Sequence, residues 1–127
     1  MKAFAYYNAS DLDDAIAALS RGGGRSMALA GGTDLLGEMK NRYVTPERVV
    51  NLKSIRGLDR ISYSGSVGLK IGPLAGLSEV SQNKTVRQRY PGLAEAAESV
   101  GTPQLRNMGT IGGNLCQRPR CWYYQGK

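Results

Sequence analysis

The 127-residue chain contains no histidine and only two cysteines, Cys116 and Cys121. Without histidine there is no Ser/His/Asp or Cys/His relay for nucleophilic catalysis, and two thiols cannot by themselves supply the four thiolates of an ordinary iron–sulfur cluster. Both cysteines read as free thiols, and although a disulfide is open to them, nothing points to one. No apolar run approaches the roughly eighteen residues of a membrane helix. The opening Met1-Lys2-Ala3-Phe4-Ala5-Tyr6-Tyr7 lacks the apolar core of a secretory signal. The expected location is therefore the cytoplasm, with the periplasm left open, and no membrane partner is expected. No internal repeat or low-complexity linker interrupts the chain.

What is present is an ordinary globular balance, 41% hydrophobic and 21% charged residues, in a chain long enough to bury a core. The net charge of +7 raises nucleic acid, lipid headgroups or an acidic partner as ligands. Its distribution argues against nucleic acid. Arg21, Lys40, Arg48, Lys53, Arg60, Lys70, Lys84, Arg87 and Arg106 are scattered, with no basic run and no helix-turn-helix or RNA-binding signature. A solvated surface is the simplest reading, followed by a patch that favours an anionic cofactor or an acidic partner subunit.

The first half alternates helix and strand. Ser10 is placed to cap a helix carrying Leu12, Ala15, Ile16 and Leu19 on one face, with Asp13 completing a capping box and Gly22-Gly23-Gly24 ending it. Residues 26–30 read as a buried strand, residues 35–41 as a helix, and residues 48–52 as a returning strand, which together suggest a small parallel sheet. From residue 58 the character changes. Ile61 and Tyr63, then Leu69 and Ile71, alternate with polar residues around Ser64-Gly65-Ser66, the pattern of an antiparallel hairpin. Ser78 suits the cap of a short helix through Val80. Pro91 suits the first turn of another bearing Leu93, Ala96, Ala97 and Val100, closed by Gly101. The expected class is α+β, with a βαβ subdomain over residues 1–57 and an incomplete α+β subdomain over residues 58–127.

Two glycine-rich motifs are the best candidates for chemistry, Ala30-Gly31-Gly32-Thr33-Asp34 and Thr110-Ile111-Gly112-Gly113-Asn114. Paired glycines permit positive φ and lack Cβ atoms, so successive backbone amides can turn toward one anion at close range. The first motif lies at a strand-to-helix junction, where first-turn amides are unpaired and Thr33 would be the N-cap. One such motif alone is also what an ordinary turn before a capped helix looks like. Asp34 limits the phosphate reading, because its carboxylate must then face a ribose, a backbone amide or water.

The segment Leu29-Ala-Gly-Gly-Thr-Asp-Leu-Leu36 followed by Met39-Lys40, together with Leu105-Arg-Asn-Met-Gly-Thr-Ile-Gly-Gly-Asn114, resembles the flavin-binding medium subunit of the molybdenum hydroxylases. That family includes xanthine dehydrogenase, carbon monoxide dehydrogenase and aldehyde oxidoreductase. The resemblance implies an FAD-binding fold of the p-cresol methylhydroxylase type, in which both glycine motifs grip the FAD pyrophosphate. It implies cofactor contacts at Leu29, Ala30, Gly31, Gly32, Thr33, Asp34, Leu35, Val100, Thr110, Ile111, Gly112, Gly113 and Asn114. It also implies partner subunits, a large one carrying molybdopterin and a small one carrying 2Fe-2S clusters. Substrate chemistry would take place on those partners.

The stretch Cys116-Gln-Arg-Pro-Arg-Cys121-Trp-Tyr-Tyr124 is similar to a subset of these subunits with an inserted 4Fe-4S cluster, in which Cys121 would match the first ligand. Read without the resemblance, Trp122-Tyr123-Tyr124 suits a strand or an interface edge. Family subunits are generally more than twice as long, so the chain reads as an N-terminal part or a truncated product. Two other functions remain: a structural or interaction fragment without FAD, and a small basic nucleic-acid binder whose affinity would fall steeply with salt.

Overall fold

The computed structural model of the chain describes residues 1–119, 121 and 123. Its first half contains β1 (Ala5–Asn8), α1 (Leu12–Ser20), β2 (Ser26–Leu29), α2 (Leu35–Lys40) and β3 (Arg48–Asn51). The three strands form a parallel sheet in the order β1-β3-β2, with Val49 opposite both Tyr6 and Met27. Successive strand side chains point to opposite faces, so the adjacent Val49 and Val50, 1% and 0% exposed, enter different layers. Val50 packs with Ala9, Ala15, Ala18 and Ile55 on the α1 side, and Val49 with Leu29, Leu35 and Met39 on the α2 side. A strand covered on both faces suits two β-branched residues in a row.

Periodicity gives no sign of β1, because all four of its residues are exposed at the sheet edge. Helix α1 is present but turned from the expected face. Ala15 and Ala18 are buried and Leu19 is half-buried, whereas Leu12 and Ile16 are 53% and 59% exposed. The helix therefore meets the sheet through its smallest side chains. Its cap is Asp11, not Ser10: the Asp11 carboxylate accepts from the Asp14 amide at 2.9 Å. The reciprocal bond runs from the Ser10 amide to the Asp14 carboxylate, also at 2.9 Å. Charged acceptors outcompete the serine hydroxyl here.

Asp14 also accepts from the Tyr7 hydroxyl at 2.7 Å. The Ser10 amide and then this hydroxyl hold the Asp14 carboxyl below its usual range, and the same bond to Asp14 raises the Tyr7 phenol. A depressed folded-state carboxyl contributes stability above its unfolded pKa, and loses it as pH falls through the folded value. Wild type is expected to exceed Asp14→Asn in urea midpoint at about pH 6, with the gap closing toward about pH 3. A gap independent of pH would rule this out.

The second half contains β4 (Ile61–Ser64), β5 (Gly68–Ile71), α3 (Leu77–Gln82), α4 (Lys84–Arg89), α5 (Pro91–Glu98), α6 (Pro103–Met108) and α7 (Ile111–Leu115). The hairpin pairs Ile61 with Ile71 and Tyr63 with Leu69, as the alternation predicts. Ile61, Leu69 and Ile71 pack against a core of Ala75, Leu77, Val80, Val86, Ala94 and Ala97. Helix α3 begins one residue before Ser78. Gly76 is its N-cap, and the Glu79 carboxylate accepts from the Gly76 amide at 3.0 Å. On α5 the buried face is Ala94 and Ala97; Ala96 is exposed, and Val100 lies beyond the helix end. Helices α4, α6 and α7 are too short to show a hydrophobic period. Among the described residues, no helix is long and apolar enough to cross a membrane.

Candidate functional site

β2 ends at Leu29, and residues 30–34 turn the chain into α2. Gly32 has φ +78°, which a side chain would strain, and a Cβ there would also lie 3.1 Å from Leu36 Cδ1 and 3.2 Å from Leu29 Cδ1. Gly31 serves a different purpose. Its backbone lies so close to α6 that any Cβ would overlap the Met108 carbonyl and sit 3.1 Å from Gly109 Cα. Gly31 thus brings the first motif against Met108 and Gly109, the segment that leads into the second. The amides of Gly31, Gly32 and Thr33 donate to no described residue. Such unpaired donors are usual where a chain enters a helix.

The second motif differs from the sequence expectation in two ways. It forms the short helix α7 rather than an open loop, and neither Gly112 nor Gly113 has positive φ. Its amides are also already used. Ile111 donates to the Ala75 carbonyl at 2.9 Å, Gly112 to the Pro73 carbonyl at 2.8 Å, and Asn114 to the Thr110 carbonyl at 2.9 Å. Gly113 donates to Thr110 Oγ1 at 3.1 Å. Glycine is needed here because the backbone packs against protein: a Cβ on Gly112 would lie 2.7 Å from the Pro73 carbonyl, and one on Gly113 2.9 Å from Thr110 Oγ1. The first motif therefore offers donors, while the second offers a wall without side chains.

Between them lies a groove of about 400 Å³. The first motif contributes Ala30, Gly31, Thr33, Asp34 and Leu35 to its lining. The second contributes Thr110, Gly112, Gly113 and Asn114, and Val100 lines it as well. Leu29, Gly32 and Ile111 do not. Leu29, at the end of β2, is buried with Leu35, Met39 and Val49, Gly32 carries the turn, and Ile111 packs on the second core.

Asp34, not Thr33, is the N-cap of α2, and its side chain does not cap. Its carboxylate accepts from the Arg118 backbone amide at 3.4 Å, one of the orientations that keeps it compatible with a nearby phosphate. Helix α2 has only six residues, so it contributes little dipole of its own beside the unpaired amides.

Sequence reasoning misses Glu38, Leu105 and Arg118, which line the same groove. The i, i+4 spacing of Asp34 and Glu38 is the one local signal that links Glu38 to the first motif. It also misses a gathering of charge. Lys53, Arg56, Arg60 and Arg106 line a second, wider cleft of about 840 Å³ that shares Gly31 and Thr110 with the groove, with Asp59 and Glu79 among them. The cations scattered along the chain are thus partly collected beside the glycine motifs. Arg106 is already engaged, donating to the Val100 and Gly101 carbonyls at 3.1 and 3.4 Å.

Cys116 and Cys121 are free and exposed. Among the described residues, no three His, Cys, Asp or Glu side chains come together to hold a metal ion. Of the aromatic cluster, Trp122 and Tyr124 lie outside the described residues, and Tyr123 is fully open to solvent.

The model of one family, described as the FAD binding domain in molybdopterin dehydrogenase, matches residues 2–120. The chain belongs to that family. It is 36% identical over 124 residues to the aldehyde oxidoreductase FAD-binding subunit PaoB of Escherichia coli K12, covering 98% of this chain and 38% of the relative. It is 37% identical over 112 residues to the carbon monoxide dehydrogenase medium chain of Hydrogenophaga pseudoflava, covering 88% and 39%. Among solved structures, carbon monoxide dehydrogenase from Hydrogenophaga pseudoflava superposes with a TM-score of 0.85 at 36% identity, over 90% of this chain and 39% of that one. Quinoline 2-oxidoreductase from Pseudomonas putida 86 superposes with a TM-score of 0.82 at 31% identity, over 91% and 40%. The α+β fold is thus that of the family's FAD-binding subunits, and the chain spans about two fifths of the length of the relatives it matches.

Proposed function

We propose that this chain holds FAD in an electron-transfer subunit of a molybdenum-containing oxidoreductase of the aldehyde, xanthine or carbon monoxide dehydrogenase kind. The observation that carries the reading is the groove itself: three consecutive unpaired amides, at Gly31, Gly32 and Thr33, set against a wall that Gly109, Gly112 and Gly113 keep free of side chains. This cradle suits a pyrophosphate, which needs donors on one side and close backbone approach on the other. In this reading residues 29–35 supply the hydrogen bonds, while residues 110–114 and Val100 shape the opposite wall. Bound FAD supplies the redox chemistry, and the protein supplies position and electrostatics.

The complex would include a large molybdopterin subunit and a small 2Fe-2S subunit, in the cytoplasm. Residues 1–57 would form the βαβ subdomain and residues 58–127 part of the second. Cys121 would serve as first thiolate of a 4Fe-4S insert only with ligands that these 127 residues do not contain. A second reading, an interaction fragment that does not retain FAD, draws support from the occupied amides of the second motif.

Titration of the chain with FAD, followed by flavin fluorescence with AMP and FMN as competitors, separates the two. The expected result is saturable FAD binding, weak competition by AMP and none by FMN. No binding up to high micromolar FAD would favour the interaction fragment.

A further inference from the structure

Glu38 is the only charged side chain among the described residues that is more than nine-tenths buried, at 8% exposure. It lies on α2 one turn beyond Asp34 and lines the groove, whose lining also includes the apolar Met27, Leu35 and Leu52. Its carboxylate has no hydrogen bond or ion pair with any described residue. The non-helical contact of Glu38 is a backbone one, its carbonyl accepting from the Tyr43 amide at 2.9 Å. The residue is largely buried, yet its carboxylate oxygens are not sealed off, so a donor that enters the groove can reach them. Glu38 stands in the first turn of α2, where a carboxylate favours the helix, while Asp34 at i, i+4 places a like charge on the same face.

The groove is therefore polarised, with unpaired amides at residues 31–33 and two carboxylates along α2. A phosphate is stabilised at the amide end and repelled at the other. Four residues of α-helix separate Asp34 from Glu38 by only about 6 Å, so a ligand whose phosphate sits at the amides places its adjoining group at Glu38. That group must be neutral and must carry O–H or N–H donors, since an ionised carboxylate only accepts.

We infer that Glu38 accepts hydrogen bonds from the hydroxyls of a sugar attached to the pyrophosphate. The inference rests on the FAD reading. FAD has two sources of such hydroxyls, the ribose on the adenine side and the ribityl chain on the flavin side.

The test uses the whole chain, wild type and Glu38→Gln, and reads binding by flavin fluorescence with paired ligands. AMP against 2′,3′-dideoxy-AMP, as competitors, reports on the ribose. FAD against an FAD with a 2′-deoxyribityl chain, each titrated directly, reports on the ribityl chain. Wild type is expected to prefer the hydroxylated member of one pair, which identifies the source. Glu38→Gln is expected to bind FAD about 10- to 100-fold more weakly and to lose that preference. If wild type binds FAD but shows neither preference, or if Glu38→Gln binds FAD within about twofold of wild type, the role of Glu38 is overturned while the FAD reading stands. If wild type binds no FAD, both fall together. The wild-type preferences need no variant, so poor folding of Glu38→Gln leaves the inference open to refutation.

Discussion

Replacing Gly31 with alanine is expected to weaken FAD binding by more than about tenfold and to lower the melting temperature by several degrees, although it adds a single methyl group. The backbone at Gly31 is not in the left-handed region, so conformational strain is not the cause. The cause is collision. The new Cβ would overlap the Met108 carbonyl, 2.9 Å from Met108 C and 3.1 Å from Gly109 Cα. These are backbone atoms and cannot swing aside as a flexible side chain would. Gly109 is pinned on both sides, donating to the Leu105 carbonyl at 2.6 Å and accepting from the Leu77 amide at 2.9 Å. Relief therefore requires the first motif to separate from this segment, which costs about 1–3 kcal/mol for overpacking and opens the groove.

Gly92→Ala is the control. It lies in the first turn of α5 with nothing within 4 Å of its Cβ position, so it is expected to be neutral or slightly stabilising. Thermal melts and FAD titrations of both variants check the contrast. If Gly31→Ala keeps the wild-type melting temperature and affinity, the contact of Gly31 with Met108 and Gly109 is not what forms the site.

The legible parts of the fold are those with a local cause. The strand at residues 26–29, the turn requiring glycine at position 32 and the helix after it follow from one short segment. The hairpin follows from the alternation of Ile61, Tyr63, Leu69 and Ile71 across a polar turn. β1 is illegible because its stability comes from pairing with β3, more than forty residues away, and not from its own exposed side chains. The face of α1 is misread because Leu12 and Ile16 outweigh Ala15 and Ala18 on any hydrophobic scale, while the sheet selects small residues for close approach.

In the site, both glycine motifs stand out in sequence, but their division of labour does not. What makes Gly31 a spacing residue is Met108, and what uses up the amides of Ile111 and Gly112 is the segment from Pro73 to Ala75. Those pairings are long-range and leave no periodic trace. The collection of Lys53, Arg56, Arg60 and Arg106 around one cleft is hidden for the same reason.

Leu77→Ala is expected to destabilise the chain by about 2–5 kcal/mol and also to reduce FAD affinity. The residue is 3% exposed, and its side chain belongs to the second core with Ala75, Val80 and Val86. It also lines the groove, and its Cδ1 would lie 3.3 Å from a Cβ at Gly109. Leu77 thus supports, with both backbone and side chain, the segment that Gly31 packs against. Removing its three terminal carbons leaves a void behind Gly109, so the wall loses the packing that fixes its distance from the unpaired amides at residues 31–33.

Val86→Ala separates this effect from general loss of stability. Val86 is 0% exposed in the same core but does not line the groove. Its truncation is expected to cost stability and leave FAD affinity unchanged at a temperature where both variants are folded. Urea denaturation and FAD titration at that temperature give the two numbers for each variant. Equal changes in affinity would mean that binding tracks global stability alone. A loss confined to Leu77→Ala would locate the coupling in the backbone of Gly109, where the second core meets the first glycine motif.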